Sequence, residues 1–356
     1  MSAWTERDEL ALMLARHAEL EDRHNDGDGG RFISGWQCEN PWAANIRAVV
    51  EEEAKSLKAD DYLYPDLDEE LSDAISSFHR EIDGTMPSAI LCAAGSSPLI
   101  LSFCAWLSET GCREVFYMPP LYYSAHLSLR LLGFRARPIS GRHSFEPDFT
   151  FNLPDQKSVL ILTDPVWYAG IPLSHETISA IAEWQTRTGS FVFVDGSFQN
   201  ARWDGRYGEC SVQLDPDFTI RLICPTKALA IHGYRFAYAL IPDRIRARLA
   251  HIYSSLSGSA SLDNYAFARA IPKLMLEGSI SRDLMRYVSM RHRALRSRGR
   301  IWAPWQAACG YFVFEKISAR GDSWQSPLMD GSFFEQKRYP DYFRINLLSP
   351  SLDMLG

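Results

Sequence analysis

Six short apolar segments between residues 88 and 241 constrain the fold of this chain most. They are SAILCA (88–93), EVFYM (114–118), SVLILT (158–163), SFVFVDG (190–196), FTIRLIC (218–224) and RFAYALI (235–241). Segments this uniformly apolar are typical of strands buried on both faces, and strands that alternate with helices indicate a mostly parallel sheet. One intervening helix is predicted over 174–189, with Ser174 as its N-cap. The sequence therefore predicts an α/β fold whose large domain has three layers, with helices on both faces of the sheet.

Amphipathic patterns on either side of this region predict further helices and two late strands. The helices are expected at roughly 3–22, 41–58, 68–82, 242–254, 260–278 and 281–298, and the strands at GYFVFE (310–315) and YFRINL (342–347). We predict that residues 59–280 form the large domain. Residues 1–58 and 281–356 would form a smaller α+β domain from both ends of the chain.

The charge balance and the cysteines argue against several classes of protein. The 356 residues carry 37 basic and 44 acidic side chains, a net charge of -7, so no nucleic-acid partner is expected. The most apolar window (88–107) is broken by Gly-Ser-Ser-Pro and the N-terminus is charged throughout, so we expect neither a membrane span nor a signal peptide. Seven scattered cysteines without a C-x-x-C pair predict no disulfide framework, no metal site and a cytoplasmic location.

The residues directly after each strand are the candidates for a site, because ligands of such sheets bind beyond the carboxyl ends of the strands. Gly95, Ser96 and Ser97 follow the first strand and begin a helix, where backbone N–H groups and hydroxyls suit a phosphate. The same tripeptide is also common in ordinary turns. Tyr122, after the second strand, could stack on a flat ring or simply pack in the core.

A carboxylate and an ammonium group follow two further strands. Asp195 ends the fourth apolar segment, Thr226 and Lys227 follow the fifth, and Arg235 comes eight residues after the lysine. The carboxylate and the ammonium could form a structural ion pair, or Asp195 could be a cap or turn residue. The alternative is pyridoxal phosphate, which needs a lysine for covalent attachment, an acid at its ring nitrogen, cations at its phosphate and a ring stacked on its face.

The order and spacing of these residues resemble those of the class I/II aminotransferases, the pyridoxal-phosphate enzymes of the aspartate aminotransferase superfamily (fold type I). The stretches that carry the resemblance lie between about residues 33 and 348: DYLYPDLDEELSDAISSF, AAGSSPLI, PPLYYSAHLSLRLLG, VFVDGSF, CPTKALAIHGYRFAYAL and FRIN. The resemblance implies pyridoxal 5'-phosphate as cofactor, an L-amino acid as substrate and a homodimer with shared active sites.

The resemblance also implies a role for each candidate residue. Lys227 would bind the cofactor covalently and then act as base and acid at the substrate α-carbon, while Asp195 would face the ring nitrogen. Tyr122 would stack on the ring, Arg344 would bind the substrate carboxylate, and Gly35 would lie near it. The phosphate would be held by a larger set: Gly95, Ser96, Ser97, Thr226, Arg235 and Tyr64 of the partner subunit.

The sequence departs from the family's pattern at the contacts to the ring hydroxyl of the cofactor. In DPVWYAG (164–170), Trp167 stands where the family usually has asparagine, and Phe198 stands where it usually has tyrosine. Tyr168 or Gln199 could supply the missing donors. If neither residue does so, the loss of both donors would change the pH at which the covalent linkage between the cofactor and Lys227 loses its proton.

Two further departures concern the phosphate site and the end of the chain. Cys224 replaces the family's usual serine or threonine, and only twelve residues follow Arg344, where relatives continue through a final helix. That helix is expected to be trimmed or supplied by the partner chain.

Three functions stay open on this evidence. An aminotransferase is the first expectation, and a lyase, a β/γ-replacement enzyme or a cyclase of specialised metabolism is the second, favoured by Trp167 and Phe198. A regulator without turnover is the third, although intact Lys227 and Arg344 argue against it. A pocket rich in aromatic residues, with Trp36 and Trp167 among them, weakly favours an apolar, aromatic or thioether side chain, although Arg31, Arg202 and Arg206 could lie nearby.

Overall fold

A computed structural model of the chain describes residue 15 and residues 33–277, 279–318 and 338–355. The helix predicted over 3–22 lies, apart from residue 15, outside these residues. The described helices are α1 Ala43–Ala54, α2 Glu69–Asp83, α3 Ser96–Glu109, α4 Tyr123–Leu131, α5 His175–Thr188, α6 Pro225–Ala228, α7 Asp243–Ser257, α8 Leu262–Ile271 and α9 Ile280–Ser297. The described strands are β1 Ala89–Ala93, β2 Glu114–Tyr117, β3 Arg135–Pro138, β4 Val159–Thr163, β5 Phe191–Gly196, β6 Thr219–Ile223, β7 Ala237–Ile241, β8 Ile301–Trp302, β9 Phe312–Ile317 and β10 Tyr342–Asn346.

Seven of the strands form one sheet in the order β1-β7-β6-β5-β4-β2-β3. β7 runs antiparallel to both of its neighbours, and the other neighbouring strands are parallel. The prediction of a mostly parallel sheet is therefore confirmed. Every residue of β5 and of β7 is buried, as expected of strands that are covered on both faces.

Helices cover both faces of this sheet. On one face, Phe103 of α3 and Leu249 of α7 share a core with Phe193 of β5. On the other face, Ile181 of α5 shares a core with Val192 of β5. Successive side chains of a strand point to opposite faces, so β5 contributes alternate residues to the two cores. The three-layer arrangement predicted from the sequence is thus confirmed.

The remaining three strands form a small antiparallel sheet in the order β10-β9-β8. Helix α9 is joined to it by a contact of 2.9 Å between His292 Nε2 and the buried Glu315 Oε1 of β9. The segment from Ile33 to Glu39 is joined to the end of β10, because the Asn346 N–H donates to Ile33 O at 2.7 Å. Both ends of the described chain therefore build this α+β unit.

One continuous hydrophobic cluster connects the small sheet with the rest of the molecule. It includes Ile46 of α1, Phe267 of α8, Phe236 before β7 and Tyr311 before β9. The division into residues 59–280 and the two chain ends stays a prediction. Within the part of the chain that the structure describes, no helix is long and apolar enough to cross a bilayer.

Two predicted boundaries differ from the structure for local reasons. The strand predicted over 235–241 begins at Ala237, because the backbone N–H of Arg235 donates to Asn264 Oδ1 at 2.7 Å instead of to a neighbouring strand. The helix predicted over 260–278 ends at Ile271, because Pro272 has no N–H for the next helical hydrogen bond, and a π-helical turn follows.

Gly170 joins the loop after β4 to the small sheet. Its carbonyl oxygen accepts hydrogen bonds from the N–H groups of Ala308 and Cys309 at 2.9 and 3.1 Å. Its φ is +65°, and a Cβ atom there would lie 2.5 Å from Cys309 O and 2.6 Å from Phe312 O. Glycine is therefore required both by the backbone conformation and by the close approach of two carbonyl groups.

We expect Gly170→Ala to lower the free energy of unfolding by about 2 kcal/mol more than Gly189→Ala does. Gly189 has nearly the same φ, +64°, but nothing lies within 4 Å of the position of its Cβ. Gly189→Ala should therefore lower the free energy of unfolding by only about 1 kcal/mol, because alanine is strained in the left-handed conformation. Urea unfolding of the two variants would measure the difference, and equal losses would show that the loop moves aside to admit the methyl group.

Candidate active site

The candidate residues converge at the carboxyl ends of β4, β5 and β6. In the register of the sheet, Asp195 of β5 lies between Thr163 of β4 and Leu222 of β6. Lys227 lies in the single turn α6, four residues after β6, and its backbone N–H donates to Cys224 O at 2.9 Å. The parallel strands therefore place the carboxylate and the lysine at one edge of the sheet, as the sequence predicted.

The amine of Lys227 lies among aromatic rings and beside other cations. Its Nζ is 4.7 Å from the ring centroid of Trp36 and 5.7 Å from that of Phe198. Burial lowers the pKa of Lys227 to about 8, and the positive charges of Arg235 and Arg344 act in the same direction. About a tenth of this amine is therefore unprotonated at pH 7, far more than of an ordinary lysine, which suits a nucleophile or a general base.

Asp195 is a buried carboxylate with 3% of its surface exposed. Its Oδ1 accepts hydrogen bonds from Ser197 Oγ at 2.6 Å and from the Ser197 N–H at 3.2 Å. Burial raises the pKa of Asp195, while the bonds from Ser197 and the charge of Lys227 oppose that rise. A cationic ring nitrogen placed against this carboxylate would favour its ionised form further.

The N-terminus of α3 and the guanidinium of Arg235 form a cradle for an anion. Gly95 has a φ of +102°, and a Cβ atom there would lie 2.8 Å from Arg235 Nη2, so glycine suits both this backbone conformation and the close approach of the guanidinium. Ser97 Oγ lies 3.3 Å from Ser124 Oγ in the first turn of α4. Backbone N–H groups, hydroxyls and a guanidinium at the start of a helix with fourteen residues suit a phosphate.

Arg344 is fully buried and joins the N-terminal segment to β10. Its Nε and Nη2 donate to Ser34 O at 2.9 and 2.5 Å. Its Cζ lies 4.4 Å from the ring centroid of Trp36 and 4.7 Å from that of Phe312. Gly35 lies beside this contact, since its carbonyl oxygen accepts from Asn346 Nδ2 at 3.0 Å. The structure thus brings the predicted pair, Arg344 and Gly35, to one place.

Three more of the predicted residues adjoin this set, and one does not. Tyr122 and Trp167 meet edge to face with their ring centroids 5.4 Å apart, and Thr226 is buried next to Lys227. Tyr64 stacks on Tyr62 at 6.3 Å. Within the described residues we find no contact that joins Tyr64 to the cluster around Lys227.

The two residues that could have replaced the missing donors are engaged elsewhere. The hydroxyl of the fully buried Tyr168 lies 2.5 Å from His143 Nδ1. Gln199 Nε2 donates to Ser211 Oγ at 2.9 Å, and its Oε1 accepts from Arg221 Nη2 at 3.1 Å. The idea that Tyr168 or Gln199 substitutes for the donors is therefore not supported by these contacts.

Sequence reasoning missed a group of neutral polar residues beside Lys227. His232 Nε2 lies 3.6 Å from Cys38 Sγ and 3.0 Å from the Tyr311 hydroxyl. Burial raises the pKa of Cys38 to about 12, and burial together with Lys227 and Arg235 lowers the pKa of His232 well below its ordinary value. In the sequence, the only indication that His232 belongs to the site was its position between Lys227 and Arg235. Nothing in the sequence marked Cys38 or Tyr311.

Known proteins share both a sequence pattern and the fold with this chain. Residues 34–347 match the family described as Aminotransferase class I and II. Escherichia coli YbdL, described with a methionine aminotransferase function, is 15% identical and superposes with a TM-score of 0.77 over 96% of this chain and 95% of that one. N-succinyldiaminopimelate aminotransferase from Mycobacterium tuberculosis is 16% identical, with a TM-score of 0.76 over 95% and 94%. Aspartate aminotransferase from Thermotoga maritima is 14% identical, with a TM-score of 0.73 over 96% of this chain and 94% of that one. No curated protein sequence matches the chain.

The charge of Arg235 is expected to hold the pKa of Lys227 down. Arg235→Gln should therefore raise that pKa, whereas Arg235→Lys, which keeps the positive charge, should leave it nearly unchanged. To measure the pKa, the folded protein without cofactor is acylated at a series of pH values. Mass spectrometry of the peptide that contains Lys227 then gives the extent of its acylation at each pH. Identical titrations of the two variants would contradict an effect of charge.

Proposed function

The chain belongs to the class I and II aminotransferases, a family of pyridoxal-phosphate-dependent transferases, and on that premise we propose that it transfers the amino group of an L-amino acid with pyridoxal phosphate bound at Lys227. The observation that carries the proposal is the partly buried amine of Lys227, with a pKa near 8, at the strand edge that also holds Asp195. A lysine held for structure alone has no need of such an environment.

The residues present fit the cofactor at both of its ends. The cradle of Gly95 and Arg235, where a side chain at position 95 would collide with the guanidinium, suits the phosphate. Ser96, Ser97 and Thr226 would add hydroxyl and N–H donors to it. Asp195 would hold a proton on the ring nitrogen, and Tyr122 would stack on the ring.

The residues of the chain would then divide the work of the reaction. Bound there, pyridoxal phosphate supplies a ring that withdraws electrons from the substrate α-carbon. Lys227 Nζ would take the proton from that carbon and return it later, since its lowered pKa leaves part of the amine unprotonated. Arg344, fixed by Ser34 O, would hold the substrate carboxylate.

A homodimer with shared active sites belongs to the proposal. Tyr64 lies in a segment with two very exposed apolar side chains, Tyr62 at 82% and Leu67 at 70% exposure. Such a surface supports contact with a second subunit, in which Tyr64 would reach the phosphate of the other copy. We also propose a cytoplasmic location, because the seven cysteines are free thiols.

A second candidate function is elimination, replacement or cyclisation at the substrate side chain. The observation that favours it is the replacement of both expected donors by Trp167 and Phe198, with Tyr168 and Gln199 bonded elsewhere. The two functions share the loss of the α-proton and differ in their products. An aminotransferase leaves a keto acid and needs a keto-acid acceptor, whereas the second function leaves an elimination or cyclised product.

The proposed function predicts that borohydride reduction of the holoprotein attaches the cofactor to Lys227, as peptide mass spectrometry would detect. Lys227→Ala should remove the adduct and lower turnover by about 10²–10⁴-fold. The exposed Lys157 offers a matched control, since Lys157→Ala should change neither. Incubation with a panel of amino acids, with and without a keto acid, identifies the reaction. An adduct at another lysine would contradict the proposal.

Phe198→Tyr should lower the pH at which the absorption band of the lysine-bound cofactor changes. The linkage between the cofactor and the lysine shares its proton with the ring oxygen of the cofactor. The added hydroxyl would donate to that oxygen and weaken its hold on the proton, so the proton would leave at a pH lower by about one unit. Phe198→Leu, which adds no donor, is the control. An unchanged titration of Phe198→Tyr would mean that residue 198 does not face the ring hydroxyl.

A further inference from the structure

The indole of Trp36 lies against both cations that are proposed to act on the substrate, Lys227 at its α-carbon and Arg344 at its carboxylate. Its ring centroid is 4.7 Å from Lys227 Nζ and 4.4 Å from Arg344 Cζ. The two cationic groups are therefore no farther apart than the sum of these distances. The α-carbon and the carboxylate carbon of an amino acid are one bond apart, so a substrate whose carboxylate meets Arg344 and whose α-carbon lies at Lys227 must lie beside this indole.

Neighbouring rings and the backbone hold Trp36 in this position. Trp167 stacks on it with the centroids 5.9 Å apart and the planes at 15°, and Phe312 meets it edge-on at 5.1 Å. The carbonyl groups on either side of Trp36 accept hydrogen bonds from Asn346 Nδ2 at 3.0 and 2.7 Å. Rotating the indole would break the ring contacts, and the backbone bonds fix the segment that carries it, so it is a fixed wall of the site.

Further aromatic rings adjoin this wall. Tyr122 meets Trp167 edge-on at 5.4 Å, and the ring centroid of Phe198 lies 5.7 Å from Lys227 Nζ. Arg202, which the sequence left as a possible partner for a charged substrate, bonds to Asp204 at 3.2 Å. A charged substrate side chain placed among these rings would lose its hydration without gaining a partner from them. Arg31 lies outside the described residues.

We propose that Trp36 is a specificity-determining residue that selects L-amino acids with flat or extended apolar side chains. This inference rests on the proposed function, since it takes Arg344 as the group that binds the substrate carboxylate and Lys227 as the group that acts at the substrate α-carbon. The indole bounds the path between them, and the side chain that leaves the α-carbon packs against the rings around it. An aromatic or long apolar side chain gains that contact, whereas a short one leaves the wall uncovered.

Carboxylates that lack an amine test the wall without turnover. We expect the holoprotein to bind 3-phenylpropionate at least about tenfold more tightly than glutarate or propionate, as measured by titration calorimetry. Trp36→Ala should weaken binding of 3-phenylpropionate by about tenfold and that of propionate by less than about threefold. Trp36→Phe, which keeps a ring, should retain most of the preference.

Trp302→Ala is the matched control, because Trp302 is 52% exposed on β8. It should leave all three affinities unchanged. Equal loss for 3-phenylpropionate and propionate in Trp36→Ala would reduce Trp36 to a structural role, and wild-type protein that prefers glutarate would overturn the substrate class. Borohydride reduction of the same samples separates the two proposals. If no adduct forms at Lys227, the proposed function is contradicted. If the adduct forms but 3-phenylpropionate is not preferred, only the inference about Trp36 is contradicted.

Discussion

The contact between Arg344 and the carbonyl oxygen of Ser34 decides where the N-terminal segment lies, and the site depends on it. A fully buried guanidinium must find hydrogen-bond acceptors, and two of its nitrogens find this one carbonyl. Asn346, two residues further along β10, fixes the same segment, because its side-chain amide donates to two backbone carbonyl groups there. Trp36 is thereby placed against Lys227, a residue almost two hundred positions away in the chain.

The balance of charge in the site explains what it is suited to bind. Lys227, Arg235 and Arg344 influence one another as like charges, and Asp195 is the buried carboxylate among them. The polar neighbours Cys38 and His232 do not offset this excess, because burial keeps both neutral. A phosphate at the cradle of Gly95 and Arg235 and a carboxylate at Arg344 would supply the missing negative charge. The electrostatics of the chain and its membership in a phosphate-cofactor family thus lead to the same ligands.

Trp167 and Phe198 make packing contacts that extend beyond the site. Phe198 packs on Tyr311, and its ring would collide with a Cβ atom at Gly310, where φ is +64°. Trp167 stacks on Trp36, so the two unusual residues bound the same apolar space. Gln199, next to Phe198, is held by Arg221, whose Nη1 in turn bonds to Asp83 at 2.7 Å. Trp167 and Phe198, which stand at the positions where donors were expected, are thus part of an aromatic lining of the site.

The sequence by itself determined the layered sheet and the residues at its strand ends, because both follow from local patterns. Uniformly apolar strands must be buried on both faces, and Asp195 lies at the end of one such strand while Lys227 comes four residues after the next. Only the tertiary structure decided which residues surround the lysine. Trp36, Cys38, His232 and Tyr311 meet through packing between distant segments, and no spacing within one segment encodes such a meeting. The same is true of the fate of Tyr168 and Gln199, whose polar groups could have turned toward the site but are bonded by His143 and Arg221. Long-range packing decides these side-chain directions, and with them the aromatic character of the site.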